Sequence, residues 1–489
     1  MSRYDTVVIG AGVSGMTAAL LMAKYGKRVA LLESNHYIGP LLRRFKRSGV
    51  WCDPGFHYSG GLSPNGILQI MFNYLGLAGR LEPYQLRPDN FDTIQIHEEA
   101  EYHLPYGLDA FDDYLSSRFP DSRAAIGAYI QKLEEIQNST AFMNPDIGFM
   151  QQPSVEYANC SLSEFLNLHG AETGLIRLLG EHGMALYGVD GDEIPLSVHS
   201  LIMGSFYRSA HIISGGGDAI VNAFKTELEA AGVDVLCDTK VSGFRIDEQR
   251  RLQAVQTMNE TELLCEKCIS TIHPQLLVDM LPADRIRPAF INRIKRKENT
   301  FAPFILFYKV QQIPERVAGG NYYIFPSSPA ADRTRDYMAV MGIHPACESA
   351  GQKALSVISA WPAQHLETLF NGRTEQSDSE YQTIKYQLTG KITAQLFHYL
   401  PELKNHCRIV ETATPLTYNR YTGTIRGSIY GLKQSVRQSA LTSHTPVHGL
   451  YMAGQSVQCG IMGAMISSFM AACQILDPEK IRSDLNSCR

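Results

Sequence analysis

Cysteine is sparse in this chain, 10 in 489 residues, and apart from Cys265-Glu-Lys-Cys268 its spacing is irregular. That excludes a disulfide framework, which needs dense cysteine pairs, and fits a reducing, cytoplasmic setting. Positive charge is not in excess either, since 44 Lys+Arg stand against 49 Asp+Glu for a formal net charge of −5. Without a concentrated basic face a phosphate backbone cannot be neutralised, so no nucleic-acid partner is expected. The first residues, Met1 to Asp5, lack the basic, apolar and small-residue regions of a secretory signal, and the mature protein is expected to begin here. Long apolar runs are also missing. Only residues 459–476 approach the roughly 20 needed to cross a bilayer, and Gly460, Gly463, Ser467, Ser468 and Gln474 interrupt them, so they read as a buried helix. No Gly-x-Ser-x-Gly elbow, His-Glu-x-x-His helix or fixed-period repeat is present, which leaves serine-hydrolase, zincin and solenoid readings without support. Cys265 and Cys268 form a single pair without a second pair or a suitably spaced histidine. Read as part of a strand, they point their sulfurs to opposite faces, which does not suit a metal.

The N-terminus carries a clear pattern. Thr6-Val-Val-Ile9 is a short apolar run, Gly10-Ala-Gly12-Val-Ser-Gly15 follows, and Ala18, Ala19, Leu21 and Met22 then recur at helical spacing. Val29-Ala-Leu-Leu32 makes a second apolar run, ending at Glu33. Strand, glycine turn, helix and strand are the first unit of a doubly wound parallel sheet. In such a unit Gly10 permits the tight turn, Gly12 lets a pyrophosphate approach the backbone, and Gly15 allows the helix to pack on the strand. Free N–H groups and the positive end of the helix dipole face the anion. Glu33 lies about 20 positions beyond the glycines, where a carboxylate accepts hydrogen bonds from ribose hydroxyls. The unit by itself does not distinguish NAD from FAD.

From about residue 80 the texture becomes mixed, with helical stretches at 110–118 and 122–137 and a Pro- and Asn-rich loop at 144–153. The α/β texture returns near Ile212, with Ser214-Gly-Gly-Gly-Asp218, a helix through Ala230, and apolar runs at 233–236 and 241–246. Residues 276–404 are mixed again, and Leu450-Tyr-Met-Ala453 restarts the first pattern. The fold expected is α/β. A Rossmann-type domain built from 1–80, 206–275 and 405–489 is interleaved with a mixed α+β substrate domain from 81–205 and 276–404.

Three stretches carry a family resemblance: the N-terminal fingerprint, Gly49-Val-Trp-Cys-Asp53-Pro-Gly55-Phe-His57-Tyr58, and Gly449-Leu-Tyr-Met-Ala-Gly454-Gln455 with Gly460-Ile-Met-Gly463-Ala464. They resemble the phytoene desaturase, carotenoid isomerase and retinol saturase flavoproteins. His57-Tyr58, Gly454-Gln455, Thr414-Pro-Leu-Thr417, Tyr421-Thr-Gly423 and Tyr430-Gly431 look most like the retinol saturase branch. The resemblance implies FAD, with Gly10, Gly12, Gly15 and Glu33 holding its ADP half. It implies that Val241 sets its backbone against the adenine, and that Gly454, Gln455, Gly463 and Ala464 approach the ribityl chain and flavin. The family usually has Gly-Gly-Arg after the acid, whereas this chain has Gly39-Pro40-Leu41. Proline removes an N–H donor, and Arg43 is the candidate for a compensating phosphate contact.

His57 and Tyr58 are the candidates for proton transfer beside the cofactor, because reducing a C=C bond requires a proton as well as a hydride. Phe206-Tyr207 and Tyr322-Tyr323 are candidates for pocket lining, set against plain core packing. The reaction implied is saturation or desaturation of a hydrophobic polyene or unsaturated lipid, with the electron donor or acceptor open because no second glycine fingerprint appears. Redox-neutral isomerisation, amine oxidation, and prenyl-lipid binding without catalysis, as in proteins resembling Rab GDP-dissociation inhibitor, are the alternatives. The basic stretch 285–297, which carries Ile286, Phe290, Ile291 and Ile294, reads either as a solvated face or as a contact for an anionic membrane surface.

Overall fold

The computed structural model describes residues 2–97, 100–144, 146–148, 157–326, 337–344, 353–370 and 379–489. The N-terminal unit is present as a strand at Thr6–Ile9, a helix at Val13–Lys24 and a strand at Val29–Leu32. Every residue of both strands is buried, as a parallel sheet covered on both faces requires. The sheet has five parallel strands in the spatial order Asp234–Leu236, Val29–Leu32, Thr6–Ile9, Lys267–Ser270 and Leu450–Met452. A β-carbon on Gly15 would lie 1.7 Å from the Gly10 carbonyl oxygen, so only glycine lets the first helix sit this close to its own strand.

The apolar run near the C-terminus is the buried helix expected, Gly460–Ala472. It packs against Val13–Lys24, and the Ser14 and Ser468 hydroxyls meet at 2.7 Å. Among the described residues no helix is long and apolar enough to cross a membrane. Both helices follow strands of the parallel sheet, so their N-termini open at the carboxyl edge of the sheet, where α/β folds bind ligands. Neither helix has an acidic residue in its first turn.

A second, seven-stranded sheet runs in the order Cys407–Ala413, Pro303–Val310, Lys353–Ala360, Met338–Val340, Asn321–Phe325, Asp92–Ile96 and Ala100–Leu104. Asn321–Phe325 pairs in parallel with Asp92–Ile96, with Asn321 opposite Asp92. Strand alternation then puts Asn321 and Tyr323 on one face and Tyr322 on the other. The helices Thr173–Tyr187 and Leu196–Arg208 bring His182 and Tyr207 to the face that carries Asp92.

The helical stretches read from sequence are the helices Leu108–Arg118 and Arg123–Ser139, while most of 144–153 lies outside the described residues. The opposite-face reading of Cys265 and Cys268 is corrected, since both sulfurs are buried in one apolar core. A bend at 265–266 separates the strands Glu262–Leu264 and Lys267–Ser270, so alternation does not run through the pair. In the basic stretch Ile286 and Ile294 are buried and Phe290 and Ile291 pack on the same core, leaving Arg287, Arg293 and Lys295 exposed. This helix therefore presents charge outward and keeps its apolar face inside.

Candidate active site

A cavity of about 840 Å³ runs along the carboxyl edge of the parallel sheet, within the roughly 300–1,000 Å³ typical of ligand pockets. Its wall carries Gly10, Gly12, Glu33 and Val241. It also carries Gly454, Gln455, Ala464 and His57, and Gly10 and Gly454 both pack on Thr271. Residues far apart in sequence thus line one groove, and the N-termini of both helices border it. Gly12 precedes the first helix, and a β-carbon there would meet nothing within 4 Å, so the space beyond its backbone is open. Gly454, at φ +108°, sits against the Thr271 carbonyl and donates its N–H to Ser467 Oγ at 2.8 Å. Positive φ there admits glycine at little steric penalty.

Glu33 is buried and organises the loop that follows it. One carboxylate oxygen accepts from the Ala11 N–H at 2.9 Å. The other accepts from the Asn35 N–H at 2.9 Å and from Asn35 Nδ2 at 2.7 Å. Asn35 Nδ2 also donates to the Tyr421 carbonyl at 3.1 Å, which ties this part of the cavity wall to the helix Pro415–Thr422. Tyr421, Gly423 and Tyr430 line the cavity, so the C-terminal motifs singled out in the sequence reach its wall.

Three expected cofactor residues, Arg43, Gly463 and Gly15, are not brought to the cavity wall. Arg43 is committed elsewhere, its Nη1 lying 3.4 Å from Asp218 Oδ1 and 3.1 Å from Asn222 Oδ1. The cause is the tight docking of the 215–217 glycines on the preceding loop, where a β-carbon on Gly217 would fall 2.0 Å from the Leu42 carbonyl. Gly463 lies one turn into its helix and packs on the backbone of Gln458, not on the cavity. Gly15 likewise acts from behind, by setting the height of the helix.

A second cavity of about 150 Å³ adjoins the first, and His57, Gly460 and Tyr430 belong to both walls. Its lining is largely apolar and includes Ile202, Phe206, Met341 and Met462. Tyr58 and Tyr323 also line it, whereas Tyr207 and Tyr322 do not. Strand alternation turns Tyr322 to the other face of its sheet, toward Gln95 and Glu101. Cys459 lines this cavity as well, but burial pushes its thiol up to about 12, which keeps it protonated and non-nucleophilic.

The two candidate proton donors differ sharply. Burial pushes the His57 imidazole down to about 4, so the ring is neutral at pH 7 and poorly suited to release a proton. Tyr58 instead belongs to a buried polar network. Its hydroxyl donates to Asp92 Oδ2 at 2.7 Å and lies 2.8 Å from the Tyr323 hydroxyl. His182 Nε2 is 2.8 Å from the same Asp92 oxygen, and Asn321 Nδ2 donates to the other at 2.7 Å. Burial, reinforced by the charge of Asp92, holds both phenols well above their ordinary value. Asp92, His182 and Asn321 were not singled out in the sequence. The available signals were an acid at the head of the alternating stretch 92–96 and a histidine on a helix otherwise rich in leucine.

Residues 8–75 match the model of the NAD(P)-binding Rossmann-like domain. The chain is similar over most of its length to an all-trans-retinol 13,14-reductase of Danio rerio, at 23% identity over 97% of this chain and 86% of the relative. It is similar to a 4,4′-diapolycopene oxygenase of Methylomonas, at 21% identity over 93% of this chain and 94% of the relative. A prolycopene isomerase of Daucus carota is 19% identical over 96% of this chain and 79% of its own length. Among solved structures, an oxidoreductase of Methanosarcina mazei superposes with a TM-score of 0.70, at 15% identity over 96% of this chain and 100% of that one. Wild-type putrescine oxidase bound to putrescine gives 0.63, at 15% identity over 99% of both chains. These structures share the fold.

Proposed function

The chain is an oxidoreductase of the superfamily that holds the all-trans-retinol 13,14-reductases and the prolycopene isomerases, and from that premise we propose that it is an FAD-dependent enzyme acting on carbon–carbon bonds of a hydrophobic polyene. The observation that carries this reading is the junction of the two cavities at His57, Gly460 and Tyr430. A dinucleotide groove ends where a small apolar pocket begins, so a cofactor ring and an apolar substrate segment meet there.

The residues present fit FAD. The open space over Gly12 and the free N–H groups of the following helix turn suit a pyrophosphate. Among the described residues Glu33 Oε2 has a single partner, the Ala11 N–H, and so can accept from a ribose hydroxyl, while Val241 on the same wall would border the adenine. Gln455 and Ala464 are the residues of this wall that would hold the flavin ring. When bound, FAD supplies two-electron hydride chemistry. The chain's own part is to hold the reacting bond in the apolar pocket, keep water away with Phe206, Met341 and Met462, and provide the proton. The 150 Å³ pocket suits the reacting segment of a polyene, with the rest of the molecule extending beyond it. Saturation is the preferred direction, because the Tyr58–Asp92 network offers a proton source at the pocket wall.

Anaerobic incubation of the reduced, flavin-loaded protein with a panel of polyenes, followed by product mass, tests this. A gain of two hydrogens is expected. Unchanged mass with altered double-bond geometry would instead support isomerisation, and a colourless protein that takes up no flavin would overturn the reading.

A further inference from the structure

Asp92 is fully buried, and among the described residues no Lys or Arg pairs with it. Its ionisable neighbours are His182, which is also fully buried, the phenols of Tyr58 and Tyr323, and, behind His182, the phenol of Tyr207. An ionised Asp92 beside a neutral His182 would leave one net negative charge in the core, which is unfavourable away from water. A single proton held between the carboxylate and the imidazole makes the pair neutral. The register that sets Asn321 opposite Asp92 keeps this arrangement fixed, because the Asn321 side chain is anchored at both ends. Its amide donates to Asp92 Oδ1 at 2.7 Å and its oxygen accepts from the Gly342 N–H at 2.8 Å.

Resting on the polyene-reduction reading above, we propose that Asp92 and His182 store the proton for that reaction and deliver it through Tyr58 to Tyr323, which donates it to the substrate carbon. The geometry allows both polarities of the chain, since either phenol can be the donor across the 2.8 Å contact. With Asp92 ionised, Tyr58 donates toward Asp92. With the pair protonated, the order reverses: Asp92 donates to Tyr58, Tyr58 to Tyr323, and Tyr323 toward the pocket that both phenols line. In the proton step the Tyr323 O–H bond breaks as the new C–H bond forms. The Tyr58 proton moves to Tyr323, and the stored proton moves to Tyr58. Asp92 is left as a carboxylate accepting from Tyr58 and Asn321, beside a neutral His182. Reduced flavin, when bound, would supply the hydride, so the substrate would gain one hydride and one proton. The chain is reloaded by a proton from water that enters the vacated pocket. His182 is a positioning residue in this scheme, whereas Tyr323 is the catalytic one.

The test uses the flavin-loaded protein and three variants, Tyr323→Phe, Tyr58→Phe and Asp92→Asn, with two readouts. The first is the nitrogen NMR spectrum of the His182 ring in histidine-labelled protein, without substrate. Asp92→Asn and Tyr58→Phe should both shift it, because each removes a partner of the shared proton. The second is anaerobic turnover of a polyene by reduced protein in H₂O and D₂O. Tyr323→Phe should keep flavin content and KM while kcat falls ~10²–10⁴-fold, the usual contribution of a positioned acid. His182 resonances indifferent to both Asp92→Asn and Tyr58→Phe would overturn the stored proton, and wild-type kcat in Tyr323→Phe would overturn the delivery route. Tyr323→Phe removes a single oxygen and serves where Asp92→Asn fails to fold. Wild-type protein that reduces no polyene would sink the assigned reaction itself. That failure is distinguishable, because the His182 spectrum still reports whether the proton is shared and so upholds or overturns the pair.

Discussion

The Tyr58 hydroxyl donates to Asp92 Oδ2 at 2.7 Å, and that bond joins the wall of the small apolar pocket to the fully buried end of a strand in the seven-stranded sheet. Through it a loop beside the dinucleotide groove is held in register with a sheet outside the Rossmann unit. Site chemistry and the packing of the two sheets are therefore coupled through one side chain.

The first prediction separates two glycines of the same fingerprint. Gly12 has φ −70° and open space where a side chain would go, so Gly12→Val should leave the apoprotein's melting temperature nearly unchanged while abolishing flavin retention through dialysis. Gly15→Ala instead drives a methyl to 1.7 Å from the Gly10 carbonyl, which should destabilise the protein by about 2–3 kcal/mol or more. Thermal melts of both apoproteins check this. Equal melts for the two variants would contradict it.

Glu33→Gln should lower FAD affinity by about 1.5–3 kcal/mol, because a charge-assisted acceptor for the ribose is lost. The same change disturbs the bonds to Ala11 and Asn35, so the loop around Asn35 should exchange its amide hydrogens faster. Titration of the apoprotein with FAD measures the first effect and hydrogen exchange the second. Unaltered affinity would remove Glu33 from the nucleotide site.

His57→Gln should slow turnover less than about tenfold, well short of the ~10²–10⁴-fold loss that a positioned acid supplies, because the imidazole is already neutral at pH 7. Its place on both cavity walls predicts a change in the flavin absorption envelope instead. A loss of a thousandfold with intact flavin content would restore His57 as the proton donor.

Stability should fall as the solution is acidified. Burial lowers the folded-state values of His57 to about 4 and of His199 to about 3, both below the unfolded value near 6.5. Below pH 6.5 the unfolded chain binds protons that the folded one does not, so each such histidine costs up to about 1.4 kcal/mol per pH unit. The loss accumulates from about pH 6.5 down to the folded values and is absent above that window. Urea unfolding at pH 7.5 and 5.5 should show a clear drop, reduced in His57→Gln, and a flat profile would contradict the burial of these rings.

Local pattern was enough to read the Rossmann unit, because its signals lie within a few residues of one another. Two buried strands, the glycines between them and the terminal Glu33 are each dictated by their own stretch of backbone, as are the C-terminal glycines at Gly454 and Gly460. The resemblance to the polyene flavoproteins rests on the same local motifs and led to the cavity lined by Gly12, Glu33, Gln455 and His57. Local pattern failed where long-range docking decides. Arg43 turned to Asp218 because the glycines at 215–217 bring another helix against its loop, a contact between segments 175 positions apart. Asp92 meets Asn321 across 229 positions and His182 across 90, and no periodicity within either strand states which residues will face each other. Parallel strands joined by long connections take their register from the helices and sheets packed around them. The same packing around His57 lowers its pKa and so determines its charge, which its residue type alone leaves open.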